Sequence, residues 1–230
     1  MKLIAAFMLA LAVAVPASAR QKEAETIDRT VSVGANGSLK LKNFSGDVRI
    51  TGTTGGDIVV HAVRRATRER LDNIKLEITS SGNAVSIEAN RRDENWKDKN
   101  NNVVETEFDI KVPHATVLDL YTFSGKIDVS GVQGTINAET FSGDVMLDVA
   151  AASQLPALSG ETFSGDIRIK VGGNASGRVE FNSFSGSVDS ELPISMRSNR
   201  RRNVSGDIGS GSGPTLNFKT FSGDLKIQKS

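Results

Sequence analysis

A short corner recurs along the chain: Phe44-Ser45-Gly46-Asp47, Phe123-Ser124-Gly125-Lys126, Phe141-Ser142-Gly143-Asp144, Phe163-Ser164-Gly165-Asp166, Phe184-Ser185-Gly186-Ser187 and Phe221-Ser222-Gly223-Asp224, with Val204-Ser205-Gly206-Asp207 as a seventh, degenerate copy. From Gly125 onward the corner glycines are separated by 18, 22, 21, 20 and 17 residues, a period that belongs to stacked repeats. Gly134 lies midway between Gly125 and Gly143, so one repeat holds two strands. Glycine supplies the positive φ that a tight corner needs, and the following Asp can bond turn amides. After each corner, apolar residues alternate with mostly charged ones: Val48/Ile50, Ile127/Val129, Val145/Leu147/Val149, Ile167/Ile169/Val171 and Leu225/Ile227, with Arg49, Asp128, Met146, Arg168 and Lys226 between them. This period of two, carried by β-branched residues, predicts strands with one buried face. The expected fold class is therefore all-β, a single-stranded β-helix or solenoid with rungs of about 18–22 residues.

Stacking the rungs at ~4.8 Å sets equivalent residues above one another. Phe123, Phe141, Phe163, Phe184 and Phe221 are then expected to form an internal structural ladder, with Phe163 between Phe141 and Phe184 and with Val204 as an interruption. Truncating a ring in such a core would cost ~3–5 kcal/mol. A repeat cannot bury its apolar face alone, so neighbouring rungs stabilise one another cooperatively.

The chain divides into residues 1–19, read as a signal peptide; residues 20–113, an N-terminal β region continuous with the solenoid; and residues 114–230, the regular repeats. Lys2, the uncharged stretch from Leu3 to Val15 and Ala17-Ser18-Ala19 follow the secretory pattern of positive, apolar and small-residue regions. No later stretch approaches the ~20 apolar residues of a membrane-spanning helix. No transmembrane segment is expected after cleavage, and the product is expected in the periplasm or at the cell surface. In the N-terminal region, the charged segment 64–73 is expected to be a short helix. Ile74–Ile78 and Val85–Ile87 read as a hairpin around Ser80–Asn83, Val104–Val112 as a strand ending at Pro113, and Arg91–Asn102 as a polar loop.

Asp109-Ile-Lys-Val-Pro113, then Leu118-Asp-Leu-Tyr-Thr-Phe-Ser-Gly125 and the further Ser-Gly-Asp-Val/Ile repeats behind a secretory leader, resemble the bacterial putative-adhesin family of exported β-solenoid domains, over roughly Val31 to Ile227. The resemblance implies a stacked-strand solenoid at the bacterial cell envelope, with no catalytic residues to carry over. Lys126 and Ser187 at the usual Asp position, Val204 for Phe and the Gly209–Gly213 run depart from the pattern.

The composition limits the chemistry. There is no cysteine, and His61 and His114 are the only histidines, so thiolate and imidazole sites are poorly supplied and neither a cofactor nor a metal is expected. With 28 Lys+Arg against 27 Asp+Glu there is no overall field to attract nucleic acid. The Asp47, Asp144, Asp166, Asp207 and Asp224 column reads as corner capping, with calcium as its alternative. Asp128, Asp148 and Asp189 are the candidates for a carbohydrate-active β-helix enzyme, a glycoside hydrolase or polysaccharide lyase, which needs two carboxylates ~5–10 Å apart. Mixed charges around them read instead as a solvated face, so no catalytic residue is assigned. Arg197, Arg200, Arg201 and Arg202 are expected to project from a loop between rungs as an anion or partner contact, and Trp96, the only Trp, as a partner contact or an end cap. The functional expectation is an exported, non-enzymatic binding or scaffolding module whose partner is an envelope component, a glycan or a protein surface.

Cleavage after Ala19 is the direct test of the leader: mass spectrometry of the exported protein should show Arg20 as its first residue, and an exported product beginning at Met1 would refute it.

Overall fold

The computed structural model describes residues 22–92, 102–200 and 202–230, and the leader and Trp96 lie outside these residues. The strands are β1 (Glu23–Ser32), β2 (Ser38–Ser45), β3 (Val48–Thr53), β4 (Asp57–Ala66), β5 (Ile74–Ser81), β6 (Ala84–Arg92), β7 (Glu105–Pro113), β8 (Val117–Ser124), β9 (Ile127–Ser130) and β10 (Ile136–Ser142). They continue with β11 (Val145–Asp148), β12 (Leu158–Ser164), β13 (Ile167–Val171), β14 (Gly177–Ser185), β15 (Val188–Ser190), β16 (Ile194–Arg200), β17 (Asn203–Ile208), β18 (Thr215–Ser222) and β19 (Leu225–Lys229). One short helix, α1 (Arg68–Asn73), occupies the second half of the segment expected to be helical, and Arg64 to Ala66 extend β4 instead.

The fold is all-β and consists of two large mixed sheets. Each Phe-Ser-Gly corner carries the chain from the ten-stranded sheet to the nine-stranded one. The first strands of six corners pair in parallel in the order β2, β8, β10, β12, β18, β14, and their second strands in the order β3, β9, β11, β13, β19, β15. Antiparallel strands extend both ends. β1 and β4 continue from β7, β5 pairs with β6 in the expected hairpin, and β17 and β16 follow β14. The apolar positions of the two sheets face each other in one core. Leu118, Leu120, Ile136, Leu158 and Leu216 come from one side, and Ile127, Val129, Val145, Ile167 and Leu225 from the other, all essentially inaccessible to water.

Two expectations are corrected here. A single strand coiling in chain order does not describe the molecule, because β18–β19, the last two strands, insert between β12–β13 and β14–β15. The degenerate copy at Val204 is not a corner. It lies within β17, which runs antiparallel to β14, and so has no place in the phenylalanine order. The inserted β18 packs closely on both neighbours. Its Phe218 is buried beside Gly160 of β12, where a Cβ would already lie 3.1 Å from the ring, and Phe181 of β14 packs on the other side in register with it.

The layer order is testable because the chain has no cysteine of its own. Glu161 and Lys219 are register partners, and Lys219 is the partner of Asn182. Adjacent layers place Cα atoms ~4.8 Å apart, within disulfide reach, whereas two layers place them ~10 Å apart, outside it. Glu161→Cys with Lys219→Cys should cross-link on oxidation, and Glu161→Cys with Asn182→Cys should not; the opposite pattern, read on a non-reducing gel, would restore the chain-order stack.

Candidate functional site: an exposed phenylalanine column

Alternation decides which corner residue enters the core. Leu118 and Leu120 point inward, so the next inward position is Thr122 and Phe123 faces out. The same parity gives an inward column of Asn43, Thr122, Thr140, Thr162, Thr220 and Ser183, all buried. The expected internal ladder is therefore corrected: Phe123, Phe141, Phe163, Phe184 and Phe221 are 38–53% exposed, and Phe44 joins them at 41%. The signal that locates them was in the sequence, as the register Leu118-Leu120-Thr122.

The six rings stack in the order Phe44, Phe123, Phe141, Phe163, Phe221, Phe184, with centroids 4.7–5.0 Å apart and planes within 16° of parallel. Phe163 thus lies between Phe141 and Phe221, and Phe184 terminates the column. The strand spacing imposes this distance, and ring pairs of this kind contribute ~0.5–1.5 kcal/mol beyond area burial. Between the terminal rings both faces of each ring are occupied by neighbouring rings, so the column offers its edges to solvent along its length. The outer face of Phe184 is covered by the Arg202 guanidinium, 4.3 Å from the ring centroid, a cation–π contact.

Beneath the rings the corners are held by hydrogen bonds between layers. The Thr140 hydroxyl donates to the carbonyl of Gly125 at 3.1 Å, Thr162 to Gly143 at 2.9 Å and Thr220 to Gly165 at 3.5 Å. The equivalent acceptor for Thr122 is Gly46, whose carbonyl already accepts the Asn43 amide at 3.0 Å, and the buried Thr122 hydroxyl has no partner among the described residues.

On the other side of each corner the aspartates act as caps between layers. Oδ1 of Asp47, Asp144, Asp166 and Asp224 accepts the backbone N–H of Lys126, Asp166, Asp224 and Ser187 respectively, at 2.8–3.1 Å. Arg168 bridges Asp144 and Asp166 at 2.6 and 2.8 Å, and Lys226 adds a contact to Asp166. The Asp224 N–H, with Lys226 and Arg168 beside it, holds the Asp166 carboxyl below its ordinary value. A carboxyl lowered on folding stabilises the fold above the ordinary carboxylate range, and that contribution is lost as pH falls through the lowered value. Asp207 stands outside this column and pairs with Arg178 and Arg197. Among the described residues no group of His, Asp and Glu is arranged to hold a metal ion.

Of the other candidate carboxylates, Asp128 and Asp148 sit two positions apart on the same face of adjacent layers, and Asp189 is remote from both. Asp128 pairs with Lys126 at 2.9 Å and Asp148 with Lys170 at 3.6 Å. Asp189 shares an outward column with Asp128 but lies four layers away, ~19 Å at the strand spacing. His61 contacts Asp28 at 2.7 Å, and His114 donates from Nδ1 to the Gly131 carbonyl at 2.7 Å. Two of the four arginines do not project from a loop between rungs. Arg197 and Arg200 lie in the edge strand β16, Arg197 ion-paired with Asp207 and Arg200 exposed, while Arg202 follows in the turn to β17, and Arg201 lies outside the described residues. Among the described arginines of this group Arg202 alone reaches the phenylalanine column. There a groove of about 410 Å³ runs between the edges of Phe163, Phe221 and Phe184 on one wall and Glu161 and Lys219 on the other, with Arg202 at its end. A larger groove of about 550 Å³ beside Val149 and Gly172 to Ser176 is lined by uncharged residues.

Parallel layers joined by stacked glycine corners and capped by antiparallel strands define a repeat-built β protein with an external aromatic column. Residues 35–228 match the Toastrack DUF4097 family, and the chain belongs to it. None of the curated proteins matches the chain. Among solved structures, a "putative cell adhesion protein" from Clostridium sporogenes is similar with a TM-score of 0.62 at 13% identity, over 90% of this chain and 100% of that one. A "putative adhesin" from Bacteroides fragilis, also 13% identical, aligns over 90% of this chain and 97% of that one with a TM-score of 0.35. The first of these shares the fold.

The column and its supports should separate by mutation. Phe163 is 45% exposed, so Phe163→Ala should cost ~1–2 kcal/mol rather than the cost of a core ring. Thr162→Val, which leaves the Gly143 carbonyl without its donor, should cost ~1–2 kcal/mol, whereas Thr122→Val should be close to neutral. Urea unfolding of the three variants checks this, and equal losses for the two threonine variants would show that the hydroxyl bonds contribute nothing.

Proposed function

We propose that the mature chain is an exported, non-enzymatic binding and scaffolding module of the bacterial cell envelope, a β-solenoid that meets its partner with the phenylalanine column. The observation that carries this reading is six half-exposed rings in a line, where five steps of ~4.8 Å give a ridge ~24 Å long. A contiguous exposed apolar strip marks an interaction surface, because scattered apolar residues satisfy solubility at lower cost. The occupied ring faces select among partners. Sugars stack on faces, so an edge-presenting column suits an apolar protein or lipid surface better than a glycan. The adhesion role in the name of the Clostridium sporogenes structure agrees with a contact module, and the leader-like first nineteen residues agree with export. Asp128 and Asp148 are neighbours on adjacent layers, but each is paired with a lysine, and these pairs support a mixed solvated face there rather than a carbohydrate-active centre.

Replacing both Phe123 and Phe141 by Ser removes the middle of the ridge without touching the core. The variant should keep its far-UV circular dichroism and lose at least tenfold of the wild type's retention on isolated cell envelopes of the producing bacterium. Unchanged retention by a folded variant, or no retention of the wild type, would overturn the proposal.

A further inference from the structure

The two ends of the phenylalanine column differ in charge. At the Phe44 end no guanidinium of the described residues lies over the terminal ring, while at the Phe184 end Arg202 lies over the ring and closes the groove. Inside that groove the Lys219 ammonium is matched by the Glu161 carboxylate at 2.6 Å, so these two cancel. Arg202 has no carboxylate partner among the described residues, and it is exposed. The groove therefore joins an apolar wall of three ring edges to a single unmatched positive charge. A guanidinium stacked on a ring keeps its in-plane N–H groups directed sideways, where they can fork onto a carboxylate or phosphate.

We infer that this groove binds a single acyl chain with an anionic head, the chain lying against the edges of Phe163, Phe221 and Phe184 and the head paired with Arg202. This rests on the reading of the column as a contact surface and names the chemistry of one end of it. The complementarity is specific in sign: a cationic head on the same chain would meet Arg202 in repulsion, and an anion without a chain would gain only one exposed pair, which is worth little. The volume of about 410 Å³ lies within the range of small-molecule sites. Layer order creates the site, since β18 brings Phe221 and Lys219 between the layers that carry Phe163 and Phe184.

The test is calorimetric titration of the full-length mature protein with dodecanoate, dodecyltrimethylammonium and acetate, each below any micelle concentration. Dodecanoate should bind, dodecyltrimethylammonium at least tenfold more weakly, and acetate not measurably. Arg202→Gln should weaken dodecanoate at least tenfold and abolish the preference between the two heads, and added salt should weaken dodecanoate more than dodecyltrimethylammonium. Vesicles of phosphatidylglycerol distinguish the source of the chain: binding to them that dodecanoate competes away places the ligand in a membrane, and dodecanoate binding without vesicle binding makes it a free amphiphile. Equal affinity for the two heads in the wild type, a measurement that needs no variant to fold, would overturn the inference, as would no dodecanoate binding or an Arg202→Gln variant that binds dodecanoate as well. The double variant at Phe123 and Phe141 lies outside the groove and should bind dodecanoate normally. Loss of its envelope retention with no dodecanoate binding by the wild type would sink the groove chemistry and leave the contact surface standing, and the reverse result would sink the contact surface alone.

Discussion

At each Phe-Ser-Gly corner a carbonyl of one layer occupies the space that a side chain on the next layer would need. A Cβ on Gly143 would overlap the Gly125 carbonyl oxygen, and one on Gly165 would overlap that of Gly143. Both residues also hold positive φ, near 145° and 155°, which L side chains rarely adopt. Only glycine lets the corners approach closely enough for pairing to continue through the turn, with the Gly143 N–H donating to the Ser164 carbonyl at 3.0 Å and Val145 to Asp166 at 3.0 Å. The two sheets are thereby locked in a common register. The threonine, aspartate and phenylalanine columns all follow from that register, because a slip of one residue would exchange the inner and outer faces of every strand.

The corner separates three chemistries within five residues. Threonine turns inward and supplies the donor that a buried glycine carbonyl lacks, phenylalanine turns outward against its equivalents, and aspartate holds the amide of the next layer. Each column is cooperative in the same direction, along the stack, so the energy of a layer comes mainly from its neighbours. That accounts for a stable fold without disulfides or a large aromatic core. Only Phe108, Phe181 and Phe218 of the ten phenylalanines are buried within the described residues. The external rings contribute stacking energy that is modest in comparison and leave an apolar ridge that a folding role alone would not need on the outside.

The charge pattern around the ridge is graded. The aspartate side is neutralised layer by layer by Arg168 and Lys226, and the opposite side carries the Lys40–Asp119 and Lys219–Glu161 pairs. The hydrogen bond from Lys40, assisted by Asn137, holds the Asp119 carboxyl below its ordinary value. Against that balanced background Arg202 stands out because its charge faces a ring rather than a carboxylate. A local excess of one charge at one end of an apolar ridge gives the surface a direction that net charge, +1 for the whole chain, does not reveal.

The all-β class, the two strands per repeat and the membership of the alternating inner faces were legible in the sequence, because a period of two and a glycine every 17 to 22 residues act locally and leave few alternatives. The capping role of the aspartates was legible for the same reason, though their acceptor bonds reach the next layer and not their own turn. Parity was also written in Leu118-Leu120-Thr122, but the hydrophobicity of phenylalanine argued the other way, and only the packed structure shows that stacking in the open satisfies these rings. Two features could not be read locally. Hydrogen-bond pairing between parallel layers is indifferent to chain order, so the insertion of β18 between β12 and β14, which sets Phe218 against Gly160 and Phe181 against Phe218, has no local signal. From that order alone come the neighbours Phe163, Phe221 and Phe184. Four arginines within six residues looked like one patch, yet the β16–β17 hairpin sends Arg197 to Asp207 and Arg202 over a ring, because alternate positions of a strand face opposite ways and a turn residue is free to fold back.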